Sequence, residues 1–154
     1  MTYLDRLDAV AGRFTALGKA LSDGLTDADE RTGERWDAGQ VWAHTAEFPG
    51  YWIGEVQTVV GQWQGEPVPF GRIKSDPGRL EAIERDRATD RAALAQRVHD
   101  GIAAVRTLLE RLAPAAWDAK GVHQTLGVMD LDRIVEEFLV GHLEEHATQL
   151  ESLG

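Results

Sequence analysis

Apolar residues recur at three- and four-residue intervals along most of the chain, and polar stretches rich in glycine or proline separate the runs. Leu4, Leu7, Val10, Ala11, Phe14, Leu17 and Leu21 form a first stripe, the spacing of one helix face. Ser22, Asp23 and Gly24 predict its end. A second stripe runs through Val41, Thr45, Phe48, Trp52, Val56, Val59 and Trp63. Asp37 is its predicted cap, with Gln40 at capping-box spacing. Trp36 and Val41 are placed to staple the entry. Pro49 interrupts this stripe. A proline there removes one backbone bond and crowds the Thr45 carbonyl, so a kink or a break is expected. The stretch from Gly61 to Gly78 reads as a long loop. Asp76 then caps a third helix with Pro77 in its first position. Its row is Leu80, Ile83, Leu94, Val98, Ile102, Val105, Leu109 and Leu112. The row is weak from Arg87 to Asp90, which predicts two helices end to end, closed at Pro114. A last helix opens after an Asp130 cap, with Leu131, Ile134, Val135, Phe138, Leu139, His142, His146 and Leu150 near one face. No stretch alternates well enough to predict a strand. The pattern is that of an all-α helical bundle.

Length changes the picture only by allowing a real core: 154 residues make one ordinary domain, taken as 1–154. The formal charge of -10 argues against nucleic acid as a partner, because phosphate binding needs clustered cations. It argues equally against acidic membranes. No signal peptide or membrane span is expected, so the reading is a cytoplasmic protein. The chain has no cysteine. Disulfides, thiolate-held zinc and a protein thiol nucleophile are thereby excluded. Any metal ligands must be His, Asp or Glu.

The histidines carry the candidate chemistry. His142 and His146 are four apart, so both can point from one helix face to one spot. His142 continues the Val135–Phe138 row and should face the bundle. Neutral imidazoles side by side in a core are costly unless something satisfies them. His44 lies between Val41 and Phe48 on or beside the inner face of the second helix. Two readings stay open for it: a third ligand, or a core histidine bonded to a carbonyl. Three histidines from two helices would leave a coordination position open, as catalytic zinc sites do. His99, flanked by Arg97 and Asp100, reads as solvated, and His123 as a loop residue.

Two better-known metal motifs fit poorly. The stretch from His142 to His146 also reads as His-x-x-Glu-His, but that peptidase pattern needs a later acidic ligand on a separate element, and Glu151 is too near. A di-iron carboxylate bundle needs Glu three before each His, where this chain has Val41, Leu139 and Leu143. Glu47, one turn after His44, is the weak choice for moving a proton. Glu144 and Glu145 read as a solvated face, Gln149 as surface or as a support for His146. Trp52, two turns from His44, is the tryptophan best placed to wall a pocket.

Three stretches together resemble the DinB/YfiT-like family, which includes thiol-dependent transferases and maleylpyruvate isomerases. "WDAGQVWAH" is similar to the family's helix start and first metal histidine. "GVHQTLGVMDLDRIVEEFLVGH" resembles the approach to its last helix, often written with Pro where this chain has Gln124. "HLEEHATQL" resembles its closing His-x-x-x-His-x-x-Gln. The resemblance implies an antiparallel four-helix bundle of DinB type. It implies that His44, His142 and His146 bind a divalent metal, zinc or nickel. It also implies a low-molecular-weight thiol such as mycothiol or bacillithiol as cosubstrate, and a homodimer. A coordinated thiol loses its proton and becomes the nucleophile. The activity so implied is thiol-dependent transfer or isomerisation of a small electrophile. Arg72 in the long loop would then hold an anionic group of the thiol or substrate, unless it is an ordinary surface arginine. Two alternatives remain: a non-catalytic metal-binding or stress-response bundle, and a metal-dependent hydrolase. Pro49, so close after His44, departs from the family pattern.

Overall fold

The structure is a computed structural model and describes residues 1–20 and 24–153. Helix α1 spans Tyr3–Leu17 and opens on a capping box between Thr2 and Asp5. It ends earlier than its apolar stripe suggests: the Gly18 N–H turns back to the Phe14 and Ala16 carbonyls. The expected stop at residues 22–23, and Leu21, lie outside the described residues.

Helix α2 spans Ala38–Gln62 and starts on the capping box expected of Asp37 and Gln40. It passes through Pro49 without a break. The buried proline ring finds room because Gly101 faces it on the neighbouring helix. A Cβ on Gly101 would come 3.1 Å from Pro49 Cγ. The Thr45 hydroxyl donates to the Val41 carbonyl at 2.7 Å.

The third stripe is two helices, as its weak centre predicts: α3 over Pro77–Asp86 and α4 over Arg91–Arg111, capped by Asp76 and Asp90. Leu80 departs from its row and is largely exposed, while Ile83, Leu94, Val98, Ile102 and Val105 are buried. The junction folds over the start of α2. Arg87 pairs with Asp37 at 2.6 Å. The Arg87 carbonyl reaches so close to Gly39 that a Cβ there would overlap it.

The expectation of no strands needs correction. Strands β1 (Val68–Phe70), β2 (Lys120–His123) and β3 (Gly127–Asp130) form a small sheet in the order β1-β2-β3. β1 runs parallel to β2, and β2 and β3 make an antiparallel hairpin. At three or four residues each, the strands are too short to display an alternation. Gly121 permits the close packing, since a Cβ there would meet Phe70 Cδ1 at 2.5 Å. Asp130 ends β3 and caps α5 (Leu131–Val135). A π-helical turn, Glu136–Val140, joins α5 to α6 (Gly141–Leu153).

The fold is therefore mostly helical with a small sheet beside it. Helix α2 packs against α3, α4 and α6, and α1 against α4 and α6. Phe14, Trp42, Phe48, Leu94, Leu139 and Leu143 are among the fully buried core side chains. No helix among the described residues is long and apolar enough to cross a membrane.

Candidate metal centre

The site forms where the middle of the first half of α2 meets the start of α6. His44 is held on α2 by its buried neighbours Val41 and Phe48. His142 and His146 stand one turn apart on α6, immediately after the π-turn. That turn matters for aim. Its extra residue sets the Gly141 N–H on the Glu136 carbonyl, five residues back. Val135 and Val140, also five apart, are both fully buried. The helix face is thereby advanced just before the two histidines, and Leu143, Ala147 and Leu150 carry the core onward while His142 and His146 face α2.

The three imidazoles converge. His44 Nε2 lies 3.1 Å from His142 Nε2, and His146 Nε2 lies 3.2 Å from His142 Nε2. One ligand nitrogen from each falls within 4.8 Å of the others. The outer nitrogens follow a common rule: each faces a residue three further along its helix. His142 Nδ1 meets Glu145 Oε2 at 3.3 Å. His146 Nδ1 meets Gln149 Oε1 at 2.6 Å. His44 Nδ1 lies 3.7 Å from Glu47 Oε2, beyond hydrogen-bond reach, and is a sealed atom without a partner among the described residues.

These outer acceptors decide the tautomers. A carboxylate or amide oxygen can only accept, so Nδ1 of His142 and His146 carries the proton. Their Nε2 lone pairs then face each other at 3.2 Å, a repulsive contact unless a cation lies between them. A tetrahedral ion with bonds of about 2.0–2.1 Å would hold its ligand nitrogens about 3.3–3.4 Å apart. The donor set therefore fits a divalent cation bound by three imidazoles, with outer partners of the kind that orient ligand histidines.

Electrostatics point the same way. Burial, then the neighbouring imidazoles His146 and His142, hold His44 well below the usual histidine range. Burial and His142 lower His146 to about 3. Both rings are thus neutral at physiological pH, the form that can ligate. The linkage has a definite sign. An unfolded chain would take up these protons near pH 6.5, whereas the folded protein resists until far lower. Unfolding binds protons in that window, so metal-free protein loses stability as pH falls from about 6.5 toward 3. The urea midpoint of metal-free protein should accordingly be lower at pH 5.5 than at pH 7.5; an unchanged or higher midpoint would contradict neutral buried histidines.

The walls are aromatic. Phe48 packs 4.4 Å from the His142 ring and 5.2 Å from His44, measured between centroids. Trp36 lies 5.3 Å from His44 and 6.3 Å from His146. Neither was singled out as a wall in the sequence, although Phe48 is one helical turn from His44. Trp52 stands in a neighbouring aromatic cluster. It is 5% exposed and stacks on Phe138 at 3.9 Å, in a cluster with Phe70 and His123.

Arg72 is not an ordinary surface arginine. Its side chain is 9% exposed, donates to Glu47 Oε2 at 2.6 Å and lies 4.0 Å over the Tyr51 ring. His123 holds the loop behind it: its Nε2 donates to the Arg72 carbonyl at 3.1 Å. His123 Nδ1 accepts from the Thr125 and Leu126 amides. This histidine is structural, and it ends strand β2 rather than lying in the expected loop. His99 touches Thr15 and is half-buried. Glu144 pairs with Arg6, away from the histidines.

Solved structures share this fold. YfiT from Bacillus subtilis, described as a probable metal-dependent hydrolase with an unusual four-helix bundle topology, superposes with a TM-score of 0.72 at 17% identity, over 98% of this chain and 83% of that one. A mycothiol-dependent maleylpyruvate isomerase superposes with a TM-score of 0.67 at 13% identity, over 97% of this chain but only 61% of the isomerase. At such identities the likeness is one of fold. No curated protein matches the chain in sequence. The sequence profile of the DinB superfamily matches residues 6–150, nearly the whole length, and the chain belongs to that superfamily.

Proposed function

We propose that this protein binds one divalent cation, zinc or nickel, through His44, His142 and His146, and uses it in thiol-dependent transfer or isomerisation of a small electrophile. The observation that carries the reading is the convergence of three imidazoles, with the Nε2 lone pairs of His142 and His146 facing one another. The cation would supply Lewis acidity, lowering the pKa of a thiol or water in its open position. A chain without cysteine must take that thiol from outside, and mycothiol or bacillithiol is the class we propose. The antiparallel four-helix bundle, a cytoplasmic location and a homodimer belong to the same reading.

The chain's own residues then have the following tasks. His142 and His146 clamp from one helix, kept in register by Glu145 and Gln149. His44 closes the set from α2. Glu47 is the residue we propose to accept a proton. Its Oε2 is committed to Arg72, while no described residue hydrogen-bonds its Oε1. Arg72 fixes that carboxylate beside His44, and could contact an anionic group only by sharing its guanidinium with Glu47. Trp52 closes the far wall through its stack on Phe138. Phe48 and Trp36 exclude water around the imidazoles, which strengthens electrostatic effects there.

Zinc- or nickel-loaded protein should be assayed with a panel of thiols and electrophiles. Turnover that requires both metal and thiol is the expected result. Thiol-independent ester or amide hydrolysis would move the assignment to a hydrolase, and tight metal binding without turnover or thiol binding would leave a non-catalytic metal-binding protein.

A further inference from the structure

We propose that Glu47 holds the Nδ1 proton of His44 when His44 ligates the cation, and that Arg72, fixed by the small sheet, keeps Glu47 in place. The affinity of the centre is then set in part by a loop residue that is not itself a ligand. The inference rests on the proposed function only for the cation, not for any turnover. An imidazole that gives its Nε2 lone pair to a cation carries its proton on Nδ1. Ligand histidines almost always pass that N–H to a carboxylate, a carbonyl or water. His142 and His146 have such acceptors in Glu145 and Gln149, each three residues further along the helix. At His44 the same atom is sealed from solvent and has no partner among the described residues. Glu47 stands in the equivalent place, three residues on, with its Oε2 3.7 Å away.

Arg72 sets the position of Glu47. The two side chains are 9% and 14% exposed, and their 2.6 Å contact is made at the same Oε2 that faces His44. A carboxylate oxygen has more than one lone pair, so Oε2 can serve Arg72 and His44 together. Oε1 stays free for the proton transfer assigned to it. Arg72 is in turn tied down. Its guanidinium lies 4.0 Å over Tyr51, one turn beyond Glu47 on α2. Its carbonyl accepts from His123 Nε2 at 3.1 Å. Gly71, just before it, has a φ of 93°. A Cβ there would come 2.6 Å from His123 Cδ2. Phe70, one residue earlier, is paired with His123 in the register of β1 and β2. A continuous line of contacts thus runs from β2 through Arg72 and Glu47 to the side of His44.

Charge alone and tethering predict opposite effects of Arg72. Its guanidinium is a cation whose field reaches His44. Coulomb repulsion by itself would make its removal strengthen the binding of a divalent cation. Tethering gives the reverse sign, because a released Glu47 regains its rotamers and no longer stays beside His44. The two side chains should also act as one unit, since a single contact joins them.

The test measures zinc affinity of the full chain by competition with a chelator. Glu47→Ala should bind zinc about 10–100-fold more weakly than wild type, the range for loss of an outer partner. Glu47→Gln keeps an accepting oxygen and should recover most of that loss. Arg72→Met should weaken binding, and should add nothing further in the Glu47→Ala background. In zinc-loaded protein with isotope-labelled histidine, the His44 Nδ1 proton should resonate downfield, as a hydrogen-bonded proton does. It should move upfield in Glu47→Ala and in Arg72→Met, while those of His142 and His146 stay in place. If Glu47→Ala fails to fold by circular dichroism, the sign of the change in Arg72→Met decides. Wild-type affinity in Glu47→Ala, a Glu47→Gln no better than the alanine, or unchanged or tighter binding in Arg72→Met would overturn the assignment. Wild-type protein that takes up no zinc would remove the proposed function and this inference together. Where wild type loads zinc, the variants judge the inference alone, whether or not the protein turns over a substrate.

Discussion

His142→Ala should strip the protein of its divalent ion, and His44→Ala should do the same from the other helix. Both replacements remove one of three nitrogens that meet within 4.8 Å. Loss of an outer-shell partner typically costs about 10–100-fold in metal affinity, so loss of a ligand must exceed that. Gln149→Ala provides the graded comparison. It removes the acceptor 2.6 Å from His146 Nδ1 and should fall in the 10–100-fold range. Elemental analysis of zinc-loaded protein should find about one equivalent in wild type and almost none in either histidine variant. Thermal unfolding gives an independent reading. A ligand at one hundred times its Kd stabilises the native state by about 2.7 kcal/mol. Added zinc should therefore raise the wild-type Tm and leave His142→Ala unmoved. If His44→Ala retains a full equivalent of zinc while His142→Ala does not, the third ligand is misassigned.

The helical stripes and the paired histidines of the last helix were legible because both rest on short-range periodicity. Asp37–Gln40, Asp76–Pro77 and Asp130 mark helix starts that the structure confirms, since a cap is a local bond between residues three apart. The gap between α3 and α4 showed as a weakened row for the same reason. The sheet was not legible. Strands of three or four residues carry too little alternation, and β1 finds its partner β2 only across about fifty residues of intervening chain. The pairing of Arg72 was invisible because burial and pairing are tertiary: Arg72 acquires Glu47 from another element. The outer acceptors at i+3 were half visible. Gln149 and Glu145 could be placed near the histidines by spacing, but only the structure separates Glu145 on His142 from Glu144 on Arg6.

The π-turn is the feature whose removal should be most damaging after the ligands themselves, and Gly141→Ala is the smallest change that tests it. In an ordinary helix, alanine in place of glycine stabilises by about 1 kcal/mol. Gly12 in α1 supplies that control: a Cβ there meets nothing within 4 Å, so Gly12→Ala should stabilise. At Gly141 a Cβ would overlap the Glu136 carbonyl and come within 3.2 Å of Glu136 Oε1. That carbonyl is not a flexible end that can swing away, because it accepts the Gly141 N–H that defines the turn. The Glu136 side chain is also held, by Arg6 at 2.6 Å. Overpacking of this kind typically costs about 1–3 kcal/mol, so the sign of the effect should reverse between the two glycines. The consequence should reach the site as well. If the helix relieves the clash by shedding the extra residue, the face after it rotates, and His142 and His146 no longer aim at His44. Gly141→Ala should then bind zinc more weakly even where enough native protein remains to measure. A stabilised Gly141→Ala with wild-type zinc affinity would show that the turn is incidental and that an unbroken α-helix presents the clamp equally well.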